Sequence, residues 1–129
     1  MLYGVSLCAL WADLAEMYES DKNYGPGTLV KFGGEKELTI ANHGDVANGV
    51  VTTSPALLLN AKDCNDKTMC GIALVGRTYV KVIGPVKKFS NLYLHDNGVA
   101  ATLETIEKLI GCSNYTCGNL VGKALQAVD

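Results

Sequence analysis

Apolar and polar positions alternate along this chain in short runs, punctuated by glycine and proline. Thr28–Phe32 is rich in β-branched and aromatic residues and reads as a strand. Before it, Tyr24-Gly25-Pro26-Gly27 predicts a turn, because proline fixes φ and glycine admits positive φ. Gly33-Gly34 turns the chain again, and Glu35–Ala41 alternates as the returning strand of a hairpin. Asn48–Thr53, Cys70–Val75 and Thr78–Ile83 are further strands, ended by Ser54-Pro55, Gly76 and Gly84-Pro85. Between them, Ala56–Leu59 is apolar and Ala61–Met69 reads as a polar surface loop. Leu92–Leu94 and Gly98–Ala101 predict a small hairpin around His95-Asp96-Asn97-Gly98, since Asn-Gly favours tight hairpin turns. Leu103, Ile106, Leu109 and Ile110 fall at helical spacing, with Thr102 as cap and Gly111 as terminator. Asn119–Leu125 reads as a last short strand.

The N-terminal segment supports two readings. Trp11, Leu14, Ala15 and Tyr18 recur at helical spacing, whereas Val5, Leu7 and Ala9 alternate with Ser6 and Cys8 as in a strand. Short strands at regular intervals predict a mainly β fold: a small barrel or sandwich with one or two short helices. At 129 residues, the whole chain (1–129) is expected to form a single domain, burying roughly two-thirds of its unfolded surface.

Charge adds an asymmetry. Asp13, Glu16, Glu19, Asp21, Glu35 and Glu37 face only Lys22, Lys31 and Lys36 in the same stretch, while Arg77, Lys81, Lys87 and Lys88 follow one another with no acid between. A net charge of −2 argues against a general nucleic-acid partner, which requires a basic excess. No stretch reaches the roughly 20 apolar residues that span a membrane. The opening MLYGVSLCALWADLAE lacks the basic start of a secretory signal.

Candidate chemistry is sparse. His43 and His95 both stand in turns, and the serines lack a G-x-S-x-G setting. There is no phosphate-binding glycine loop. Cys64 and Cys70, and Cys112 and Cys117, are near neighbours in polar stretches, and Cys8 stands apart. Their spacing is wide for zinc, so no metal and no cofactor is expected. Free thiols or local disulfides both fit. On a helix Asp13 and Glu16 would share a face, which makes them the candidate acid–base pair.

Several runs resemble a module of tailed-bacteriophage virion proteins. Ala12-Asp13-Leu14-Ala15-Glu16-Met17-Tyr18 matches its ADLAE-type stretch, and Pro26-Gly27-Thr28 with Phe32-Gly33-Gly34 matches its PGT turn, strand and FGG. Gly49–Ala56 with Asn60, Ala73–Arg77 with Val80–Lys88, and Val121–Leu125 follow in the same order, so that the likeness covers about nine-tenths of the chain. Such modules commonly end tail fibres and related appendages. They are also similar to the autocleaving chaperone domain of phage neck appendages, whose D-x-A-E-x-[FY] run is matched by Asp13, Ala15, Glu16 and Tyr18. There, three chains pack together and cleavage falls just upstream. This chain departs in beginning at Met1 and in carrying Phe89-Ser90 where the module usually has Gly-Asp after its two lysines.

The resemblance implies a structural virion component: a capsid decoration, fibre, collar or tail protein, assembled in the host cytoplasm. It would bind itself, as a trimer, and other virion proteins, and would not be an enzyme. The candidate subunit-interface residues are Glu16, Tyr18, Arg77, Lys81, Lys87 and Lys88. Two alternatives accompany it. One is an autoproteolytic chaperone domain assisting fibre trimerisation, with Asp13 and Glu16 as its acid–base candidates. The other is a host-surface adhesin tip.

Overall fold

Eleven short strands and one helix are seen in a computed structural model, which describes residues 2–3, 14–52, 57–59, 68–110 and 119–129. The fold is mainly β. The strands are β1 (Leu2–Tyr3), β2 (Leu14–Glu19), β3 (Leu29–Phe32), β4 (Leu38–Ile40), β5 (Gly49–Val51), β6 (Leu57–Leu59), β7 (Met69–Val75), β8 (Val80–Lys81), β9 (Asn91–His95), β10 (Val99–Ala101) and β11 (Leu120–Lys123). Helix α1 spans Leu103–Ile110. No helix among the described residues is long and apolar enough to cross a membrane.

A six-stranded sheet runs in the order β4-β3-β5-β7-β2-β6. Strand alternation sends consecutive residues to opposite faces. Leu29 and Val50 therefore join one core, and Val30 and Val51 the other. The sheet curls until β4 meets the end of β2: Ser20 bridges Leu38, Glu37 N–H donates to the Glu19 carbonyl at 3.0 Å, and Asp21 N–H donates to the Leu38 carbonyl at 3.2 Å. This closure makes a small barrel. Val30, Leu38, Val51, Cys70 and Ile72 form its inner cluster, with Tyr18 and Tyr24 packed against them. Cys70 is a buried free thiol, 3.3 Å from the Ser20 hydroxyl.

The second core lies on the sheet's other face. There Leu29 and Val50 meet Val80, Val82, Leu92, Leu94, Ala100 and Ala124, so that the three-stranded sheet β10-β9-β11 packs on the barrel. The turn between β9 and β10 clamps the two parts together. Asn97 N–H donates to Asn42 Oδ1 at 2.9 Å, His43 N–H donates to Asp96 Oδ1 at 2.9 Å, and Gly98 N–H donates to the Ala41 carbonyl at 2.8 Å.

Most predicted strands are found within a residue or two. Two expectations change. The helical reading through Tyr18 gives way to β2, because Leu14–Glu19 finds partners on both sides, antiparallel β7 and parallel β6. Tertiary pairing thus overrides the helix preference of Leu, Ala, Glu and Met. The returning strand is also shorter than Glu35–Ala41. Gly33 N–H bonds to the Glu37 carbonyl, so residues 33–37 form the turn and β4 starts at Leu38. The Val5–Ala9 strand, Trp11 and four cysteines (Cys8, Cys64, Cys112 and Cys117) lie outside the described residues, as does most of the predicted 61–69 loop.

Candidate functional site

Two charged surfaces, each with an exposed aromatic ring, stand out on this body. The first is the seam where β4 closes on β2. Register places Glu16 opposite Ile72 and Tyr18 opposite Cys70, both on β2. The Tyr18 hydroxyl donates to the Glu16 carboxylate. Tyr18 also packs against Phe32, with ring centroids 5.0 Å apart and planes at 60°. Its phenol is pushed up to about 12, chiefly by the hydrogen bond to Glu16, then by burial and by the negative charges of Glu16 and Glu37. Glu37 accepts the Glu19 N–H at 2.9 Å, and Lys36 reaches Glu19 at 3.4 Å. Phe32 is 46% exposed. The seam is therefore acidic, with an aromatic centre.

The second surface is the turn Lys87–Ser90, closed by Ser90 N–H donating to the Lys87 carbonyl at 3.1 Å. Lys87, Lys88 and Phe89 are all exposed. Phe89 carries a φ of +68°, and the Lys88 ammonium stands 5.0 Å from its ring centroid. Beside this turn lies a hollow of about 440 Å³, lined by Lys87, Tyr93, Glu104 and Lys108 among others.

Arg77 goes elsewhere. It lines a separate groove of about 490 Å³ with Leu74, Leu120 and Lys123. Lys81 is partly committed inside the protein, because its ammonium donates to the Thr28 hydroxyl at 3.0 Å. The basic run thus divides: Lys87 and Lys88 share the turn, whereas Arg77 and Lys81 face other neighbours. Glu16 and Tyr18 are brought together as bonded partners. Asp13 lies outside the described residues, and Glu16 sits on a strand, so the helical register that would pair the two does not hold at Glu16. Among the described residues, no cluster of His, Cys, Asp and Glu is arranged to hold a metal ion.

Sequence reasoning passed over Phe32 and Phe89. The signal was present: the chain has only two phenylalanines, and one stands directly after a double lysine. No protein family, curated protein or solved structure was found to match the chain.

Proposed function

We propose that this chain is a structural component of a tailed-phage particle, working through protein–protein contacts as a capsid decoration, fibre, collar or tail protein. Its work is binding and mechanical, it assembles with itself as a trimer, and it is carried on the virion. The observation that carries this reading is the pair of opposite surfaces on one small β body. An acidic seam and a basic turn each expose an aromatic ring, and aromatic residues are enriched where proteins meet. The ordered resemblance to phage virion modules supplies the setting. Its pieces fall in chain order along the barrel: PGT at the turn before β3, FGG at the end of β3 and the turn after it, GVV on β5, and ALVGR at the end of β7 and just past it. The test is to localise the protein on purified particles by electron microscopy with a specific antibody. Regularly spaced label is expected, and particles that carry none contradict the reading.

A further inference from the structure

We infer that the Lys87–Phe89 turn is a docking site for a second copy of this chain, and that the acidic seam around Phe32 is what it receives. The inference rests on the self-assembly proposed above and narrows it to named residues.

Phe89 is the starting point. It occupies the second central position of a turn with φ +68°, a place that glycine fills without a Cβ clash and asparagine tolerates through local hydrogen bonding. Folding gives little in return at this site, since the side chain is 60% exposed. A bulky residue held in strained backbone and left in solvent points to a role outside the folding of its own chain. The turn is also rigid. Phe89 N–H donates to the Ala124 carbonyl at 2.7 Å and Ala124 N–H donates to the Ser90 carbonyl at 3.0 Å, pinning both sides of the ring's backbone to the C-terminal segment. A pre-positioned aromatic preceded by two exposed lysines is the make-up of an anchor that binds with little ordering cost.

The counterpart is on the same chain. Phe32 is the other phenylalanine and is also exposed, backed by Tyr18. Around it stand Glu19 and Glu37, with Glu35 exposed on the adjoining turn. One surface is thus aromatic and basic, and the other aromatic and acidic. Since the two are different patches, the contact is heterologous, and it closes into a ring where the rotation between successive copies completes a full turn. A nucleic acid would meet two lysines on a chain whose net charge is −2, and is disfavoured.

The test compares self-association of the full chain and its variants by sedimentation velocity. Phe89→Gly removes the ring and the strain together, so the melting temperature of the dilute, dissociated chain should rise while association weakens about tenfold or more. A purely structural Phe89 would not move these two readouts in opposite directions. Lys88→Glu should weaken association and Glu35→Lys should do the same, while the double variant should recover most of the loss. An oligomer indifferent to Phe89→Gly and to both charge reversals overturns the inference but leaves the proposed function standing. A chain that stays monomeric, with no label on particles, overturns both. Monomeric wild-type protein that binds vesicles containing anionic lipid through Phe89 also overturns it.

Discussion

Phe89 and Gly98 share a left-handed backbone for opposite reasons. At Gly98, φ is +69°, and a Cβ would stand 2.7 Å from Thr28 Cγ2 and 2.8 Å from the Leu29 carbonyl oxygen. Only glycine lets the β9–β10 turn close onto β3. Gly98→Ala should therefore cost about 2–4 kcal/mol, from backbone strain and overpacking together, measured by urea denaturation. Phe89→Gly should stabilise the chain by about 0.5–1 kcal/mol, because the strain relieved exceeds the flexibility gained by the unfolded chain. Tyr18 makes a third prediction. Its phenol is raised to about 12 mainly by Glu16, so Glu16→Gln should bring it back toward its ordinary value near 10, read as the difference between the ultraviolet titrations of the two proteins. Because the folded value is raised, the stability from this bond is complete below about pH 10 and is lost as pH rises toward about 12.

At the scale of elements, the sheet strands with the densest β-branched content were the most legible. Val30, Val50, Val51 and Ile72 mark β3, β5 and β7, and the Asn-Gly turn marks the β9–β10 hairpin. The strand β2 was ambiguous because Leu14–Glu19 is composed mostly of good helix formers, and only its partners β6 and β7 decide the outcome. Barrel closure was not legible either, since the Ser20–Leu38 bridge joins residues whose proximity depends on the curl of the whole sheet. The same long-range dependence hid the acidic seam: Glu19 and Glu37 are distant in sequence and meet only when β4 reaches β2. At Phe89 the letter and its two preceding lysines were visible, but the left-handed φ of +68° was not. Ile72, fully buried in the barrel, tests the inner cluster. Ile72→Ala should cost about 2–5 kcal/mol, with loss of urea resistance but no change in the surfaces outside.

At the scale of the whole molecule, the shared core is supplemented by carboxylates that tie loops and strands within the barrel. Asp45 lies below its usual range because it accepts the Asn42 N–H and pairs with Lys31 at 3.0 Å. Burial works to raise Asp21, but hydrogen bonds from Tyr24 and Thr39 outweigh it and leave its carboxyl lowered. Groups lowered by folding add stability above their unfolded value near 4 and lose it as pH falls through the folded one. The melting temperature should hold from about pH 5 to 7 and fall below about pH 4.

The proposed assembly rests on the surfaces rather than the core. In that proposal charge would set which patches meet, each exposed pair adding about 0–1 kcal/mol, while burial of Phe32 and Phe89 would supply most of the affinity. Multi-angle light scattering of the purified chain, at micromolar concentration and in low and high salt, tests this most directly. A closed oligomer is expected, with a mass three times that of the 13.7 kDa chain, that loosens as salt is raised. A strict monomer at every concentration and salt would contradict it.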